Sequence, residues 1–235
     1  MQWWELGIFC LIGYLIGAIP FSWLMVRWLK GIDLRTVGSG NLGSTNAMRV
    51  LGAKRGLPVQ ALDIVKGWLP VWLPTVVLEL DPIEAVIYDV GYIAQFDVAS
   101  QYALMTIGLC AVLGHMFPVY LGFRGGKGVN TTIGVFLALA PKAILLVGVV
   151  ALPLLLVVRI VSLASITGAV LLPCSVWFFY PDNLALTVVS VLVGVLIVFL
   201  HRSNIRRLLA GTEPRIGKKT LTEELREREP DRSTG

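Results

Sequence analysis

Two membrane-length apolar runs flank Gly38-Ser39-Gly40-Asn41-Leu42-Gly43-Ser44-Thr45-Asn46, a stretch closed by Arg49. Its three glycines free the backbone to turn tightly and present its N–H groups. The serines, threonine and asparagines add neutral hydrogen-bonding side chains, and Arg49 adds a rigid fork of donors. Unsatisfied polar groups are costly in lipid, so this stretch must line a pocket or face water. Its chemistry suits a phosphate.

A second cluster reads Gly114-His115-Met116-Phe117-Pro118, then Phe123-Arg124-Gly125-Gly126-Lys127-Gly128. Small residues around one lysine at a helix start let amides and an ammonium approach an anion. The Gly-x4-Gly-Lys-Ser/Thr spacing of a Walker loop is absent. Taken alone, the run fits either a phosphate cradle or a simple turn carrying an orienting charge. The third cluster, His201-Arg202-Ser203-Asn204-Ile205-Arg206-Arg207, follows the last apolar run. Arg202 and Arg206 read as positive anchors, whereas His201 and Asn204 share a helical face and read as site residues.

Both histidines of the chain lie in these clusters. Neither is followed five residues on by aspartate, since those positions hold Tyr120 and Arg206. No Gly-x-Ser-x-Gly elbow, His-Glu-x-x-His pair or carboxylate cluster is present, so the sequence offers no evident protein nucleophile, general base or metal site. No cofactor is expected.

The elements that must position these clusters are membrane helices. Of 235 residues, 56% are hydrophobic and the mean hydropathy is +0.77, which excludes an ordinary soluble domain. About 20 apolar residues cross a bilayer core as helix. The runs predict spans over Trp3–Val26, Leu57–Leu80, Gln101–Leu121, Ala143–Val158, Val161–Tyr180 and Leu184–Leu200. A short helix is expected over Thr131–Ala140, entering the bundle from the glycine-rich loop. The first run lacks a basic start and a cleavage pattern, so it reads as a retained span rather than a signal peptide. Gly13 and Gly17 allow close helix approach. Pro58, Pro70 and Pro74 predict kinks in the second span, and Asp63 and Lys66 lie within pairing distance on one face of it. That pair is either structural or a support of the site.

Seven crossings place the termini on opposite sides. Basic residues crowd the loop from Arg27 to Arg55, the second cluster and the tail from Arg202 to Arg232. Glu79, Asp81, Glu84, Asp89 and Asp97 occupy one segment free of basic residues. The positive-inside rule then sets the N-terminus outside, the C-terminus in the cytoplasm and all three clusters on the cytoplasmic face. The segment from Asp81 to Ser100 is expected to be an exterior loop with an interfacial helix. Residues 1–210 form one transmembrane domain and 211–235 a charged tail. The net charge of +5 is explained by anionic lipid and orientation, with no call for nucleic acid. Cys10, Cys110 and Cys174 read as small buried hydrophobes without disulfide or metal spacing.

In this order and spacing the clusters resemble the bacterial membrane acyl-phosphate:glycerol-3-phosphate acyltransferases. The resemblance runs from the first span through Glu213. It rests on Gly38 to Asn46 with Arg49, Asp63-Ile64-Val65-Lys66-Gly67, and Gly114-His115 with Pro118 through Gly128. Val161 to Ile166, and His201-x-x-Asn204-Ile205-x-Arg207-Leu208 with Gly211 and Glu213, complete it. Arg124 stands where the family often has lysine, which keeps the charge.

The resemblance implies an all-α integral membrane protein of about seven transmembrane helices in the bacterial cytoplasmic (inner) membrane, with its site at the cytoplasmic face. The implied reaction moves a fatty acyl group from acyl phosphate to the 1-hydroxyl of glycerol 3-phosphate, giving lysophosphatidate and phosphate. The expected partners are these two substrates and membrane lipid, and the chain is expected to act as a monomer. Catalytic roles fall to Ser39, Arg49, Lys127, His201 and Asn204. Substrate contacts fall to Gly40, Asn41, Gly43, Thr45, Asn46, Lys66, His115, Arg124, Gly125, Gly126 and Gly128. Arg49, Lys127 and the amides of Gly125 to Gly128 would hold phosphate, while Ser39, Asn41, Thr45 and Asn46 would orient the acceptor. The competing class is a transporter for phosphate-bearing solutes. It would carry its site near the midplane between repeated halves, whereas these polar loops share one face and no repeat is visible.

Overall fold

The computed structural model describes residues 1–78 and 97–216. Most of the acidic segment and the tail beyond residue 216 therefore lie outside the described residues, as does the expected interfacial helix. All regular structure among the described residues is helical.

The first apolar run is two helices, α1 (Trp3–Ala18) and α2 (Phe21–Lys30). Pro20 divides them, because proline lacks the N–H that would continue the ladder. At the break the Ile19 carbonyl accepts from Phe21 N at 3.1 Å and from Lys66 Nζ at 2.7 Å. The loop expected from Arg27 to Arg55 is largely ordered. It contains a 3-10 turn over Leu34–Thr36 and a helix α3 (Ser44–Leu51). Val26, Leu34, Leu42, Ala47, Val50 and Val59 form a small core of its own that clamps the loop onto the bundle.

Next come α4 (Ala53–Val77), containing the three prolines, and α5 (Val98–Met116). Gly13 and Gly17 make the expected close approach: a Cβ on Gly17 would stand 2.1 Å from the Ala111 carbonyl oxygen. Gly13 meets Ile107, Gly17 meets Ala111 and Ala18 meets Gly114, so α1 and α5 run parallel. The short helix α6 (Val129–Leu139) fits the expectation and crosses α4 at backbone contact, where Gly134 abuts Ile64.

Helices α7 (Pro141–Val158), α8 (Val161–Phe179) and α9 (Leu184–Leu200) follow. A polar helix α10 (Arg202–Leu209) turns away from α9 by 58° at His201. The main core joins α4, α5, α6, α8 and α9 through residues such as Val71, Leu104, Phe136, Leu172, Val176 and Ile197. Helix α7 joins it only at its start, through buried Ala143 with Ile144 and Val147 packed alongside, and otherwise rests chiefly on α8.

Among the described residues, four helical stretches, α1 with α2 counted as one, are long and apolar enough to cross a membrane, and α9 with α10 would make a fifth. Helix α4 is long enough but diluted by Asp63, Lys66 and its prolines, and α6 has only 11 residues. The outer faces of α7 and α8 carry exposed Leu, Val, Trp and Phe side chains, as lipid contact requires. Cys174 belongs to that outer face, exposed rather than buried, whereas Cys10 and Cys110 are half-buried.

Candidate active site

The helices deliver polar residues to one end of the bundle. A cavity of about 350 Å³ opens there. Its polar end is walled by the beginnings of α3 (Ser44, Thr45), α6 (Val129, Asn130) and α8 (Val161, Ser162). Helix N-termini carry partial positive charge and unsatisfied amides, so three of them around one space favour an anion. Asn130 Nδ2 donates to Ser44 Oγ at 2.8 Å and ties two of these termini together.

The first loop supplies Ser39, Asn41, Gly43, Thr45, Asn46 and Arg49 to the wall. Gly38 turns it at φ +60°, a conformation open to glycine, and a Cβ there would collide with Asn46. Asn46 is the loop's internal strut. Its Oδ1 accepts from Ser39 N at 3.0 Å, and its Nδ2 donates to the carbonyls of Leu34 and Val37 at 3.3 and 3.0 Å. Asn41 Oδ1 likewise accepts from Gly43 N at 2.9 Å. Their amides shape the loop that presents Ser39, Thr45 and Arg49. Gly40 stands outside the cavity wall, its N–H donated to Val37 O.

Glycines of the second loop serve a different purpose from the one expected. The amides of Gly125 and Gly126 donate to Met116 O and His115 O, both at 3.1 Å, and so are not available to phosphate. Close packing explains the residue type: a Cβ on Gly126 would stand 2.1 Å from His115 Nε2. Arg124 is exposed and away from the cavity. Lys127 and Gly128 do reach its wall, as does His115. Lys66 does not: it is 3% exposed, paired with Asp63 at 2.9 Å and bonded to Ile19 O. Lys66 fastens α4 to the broken first span.

Lys127 donates to Asn204 Oδ1. The other end of that amide donates to Glu213 Oε1 at 2.6 Å, and Glu213 also accepts from Ser162 Oγ at 2.7 Å and Arg207 Nε at 2.6 Å. One buried carboxylate thus fixes α8, α10 and, through Asn204, the lysine. The residues after α10 fold back to bring it there, with Ile216 N donating to Arg159 O at 2.7 Å. Glu213 and Ser162 belong to the motifs of the resemblance, but nothing local in the sequence marks a carboxylate that acts through a fold-back.

Charges around the cavity are lopsided. Arg49 and Lys127 stand on its wall, and Arg207 lies off it, bonded to Glu213. The three cations interact with one another around that carboxylate, while the other carboxylate on the wall, Asp63, is taken up by Lys66. Burial, opposed by Glu213 and reinforced by Arg207 and Arg49, pulls Lys127 down to about 8. Burial also lowers Arg49, which remains a cation at any ordinary pH. Burial raises the Glu213 carboxyl, but bonds from Asn204, Ser162 and Arg207 outweigh it and hold the group below its usual range. His201, just past the end of α9, is pulled down to about 4 by burial and by Lys127. Its Nδ1 lies 2.8 Å from Ile197 O and so carries the proton of the neutral ring, leaving Nε2 as an acceptor. Beyond this polar end, an apolar arm of the cavity follows α7 and α8. Among the described residues, no group of three His, Cys, Asp or Glu side chains is placed to hold a metal.

The family model for glycerol-3-phosphate acyltransferases matches residues 7–211. A glycerol-3-phosphate acyltransferase of Halalkalibacterium halodurans is 40% identical over 224 residues, covering 93% of this chain and 99% of its own. One from Aquifex aeolicus is 40% identical over 210 residues, 87% of this chain and 96% of its own. Two crystal structures of PlsY, an integral membrane glycerol 3-phosphate acyltransferase, are similar in fold. Its glycerol 3-phosphate form superposes with a TM-score of 0.75 at 38% identity, covering 91% of this chain and 96% of that one. The lysophosphatidic acid form gives 0.73 at 36%, covering 94% and 98%. With matches of this length at both the sequence and the fold level, the chain belongs to the glycerol-3-phosphate acyltransferase family.

Proposed function

We propose that the protein transfers a fatty acyl group from acyl phosphate to the 1-hydroxyl of glycerol 3-phosphate, releasing lysophosphatidate and phosphate. The observation that carries this reading is a cavity with two characters: an anion-seeking end and an apolar arm. Arg49 and Lys127 on the wall, Arg207 beside them on Glu213, an Asp63 already neutralised by Lys66 and three helix N-termini suit phosphate groups, and the arm suits a hydrocarbon chain.

Acyl phosphate is a mixed anhydride, so its carbonyl needs no covalent activation by the protein. The acceptor hydroxyl oxygen bonds to the acyl carbon, the bond from that carbon to the phosphate oxygen breaks, and phosphate departs. Arg49 and Lys127 hold the phosphate groups and offset the charge that develops on the way. Ser39 and Thr45 orient the acceptor, and the Asn204 amide and His201 close the site over the reacting carbonyl.

The hydroxyl proton passes to a substrate phosphate. Phosphate monoesters have a second pKa of about 6, whereas His201 is pulled down to about 4; the phosphate is the stronger base. The acid limb of the pH–rate profile should then survive in His201→Asn. Its disappearance would identify the imidazole as the base.

The helix ends and basic loops support a multi-pass protein of the bacterial inner membrane with seven crossings, the N-terminus outside and the cavity on the cytoplasmic side. It acts as a monomer, in a single domain over residues 1–210 to which the start of the tail contributes Glu213. The deciding experiment gives purified protein dodecanoyl phosphate and glycerol 3-phosphate. Equal yields of lysophosphatidate and phosphate are expected. No product, together with uptake of glycerol 3-phosphate into proteoliposomes, would replace the enzyme with a transporter.

A further inference from the structure

The apolar arm has a measurable length and a defined end. One wall follows α8 from Ser162, beside Glu213, through Gly168 to Leu172. At 1.5 Å per helical residue, that wall is about 15 Å long. The facing wall follows α7 from Leu155 through Gly148 to Ile144. The walls pinch at Gly168, where a Cβ would stand 3.3 Å from Val147 Cγ1 and 4.0 Å from Ala151 Cβ. At Gly148 they part, and a Cβ there would meet nothing within 4 Å. Leu172, only 2% exposed, is set into the main core at the far end.

We propose that this arm gauges the transferred acyl chain, with Leu172 as its stop and Gly148 as the position that keeps its middle clear. The inference rests on the reading that the arm receives the acyl chain. An extended chain built from bonds of about 1.5 Å advances about 1.3 Å per carbon, so the arm takes about twelve carbons below the reacting carbonyl. A leucine at position 148 would stand in the arm roughly 10 Å from the level of Leu155 and leave room for about eight carbons. Gly148 is exposed on the rim of α7 and outside the core, so added bulk there displaces no packed neighbour. Replacing Leu172 by alanine instead deepens the arm by the length of a side chain.

The test is a series of acyl phosphates, from octanoyl through dodecanoyl and palmitoyl to stearoyl, each given with glycerol 3-phosphate. One methylene in an apolar pocket changes discrimination by about tenfold or more. Gly148→Leu is therefore expected to raise the octanoyl-to-palmitoyl ratio of kcat/KM by about tenfold or more. Leu172→Ala is expected to move the preference toward longer chains. Val149→Phe adds the same four carbons on the outward face, where Val149 is 70% exposed and off the cavity wall, and should keep the wild-type profile. Should Leu172→Ala fail to fold, Gly148→Leu still decides. Parallel chain-length profiles for Gly148→Leu and wild type would overturn the gauge while leaving the acyltransferase reading standing. Failure of the wild-type protein on every acyl phosphate would overturn that reading itself.

Discussion

The protein contains two lysines in polar clusters, and they do opposite work. Lys66 is enclosed. Asp63 lies 2.9 Å from its ammonium, Ile19 O lies 2.7 Å away, and the Phe21 ring lies 5.6 Å away. Its charge is matched one for one, and its bonds join α4 to the Pro20 break. Lys127 instead stands on a cavity wall, bonded to the neutral Asn204 and surrounded by Arg49 and Arg207 with one carboxylate among them. A balanced, sealed ion pair is a fastener, whereas an unbalanced one beside open space is a receptor for anions. Sequence spacing makes the two look alike. Charge balance and access separate them.

The sharpest way to break this comparison is Lys127→Met. It should lower kcat/KM by about a thousandfold, as removal of a preorganised charge-stabilising donor does, while the melting temperature in detergent stays near wild type. Activity within tenfold of wild type would move Lys127 into the structural class. Lys66→Met should do the reverse and destabilise by about 3–5 kcal/mol, because it strands Asp63 in the interior. A Lys66→Met/Asp63→Leu double variant should regain most of that loss in a denaturation experiment, and a purely additive double loss would contradict the fastener role.

Glu213→Gln tests the indirect wiring. It keeps the size of the side chain but removes the charge that orders Asn204, Ser162 and Arg207, an effect of about 2 kcal/mol or roughly thirtyfold in kcat/KM. An unchanged rate would disconnect Glu213 from Lys127. The smallest effect is on pH. Lys127 is lowered to about 8, so its cation is present below that pH and lost above it. The KM for glycerol 3-phosphate or acyl phosphate should rise by about tenfold for each pH unit beyond the midpoint. Lys127→Arg, if it remains active, should remove that rise.

Much of this site is legible in the sequence because its residue types are conspicuous against lipid. A run such as Ser39 to Arg49 has no business in hydrocarbon, and the apolar runs fix the helices around it. Three features escape for physical reasons. The glycines at 125 and 126 look like an anion cradle, yet their amides bond Met116 and His115; composition cannot tell a nest that binds ligand from one that binds the chain itself. The arm between α7 and α8 is lined by the same Gly, Ala, Leu and Val that face the bilayer elsewhere, so no pattern distinguishes its wall from lipid-facing surface. Helix α3 was hidden in a polar loop because its 8 residues are held by packing of Ala47 and Val50 rather than by an apolar run.

Glu213 lies near the end of the described chain, yet it is what holds Asn204 against Lys127. Membrane insertion and turnover therefore depend on different stretches of chain. The apolar helices end at Leu200, whereas Asn204 and Ser162 are tied together only once Glu213 returns to them. A chain cut after Ala210 should be membrane-bound and inert. Competence comes with the segment that folds back from α10.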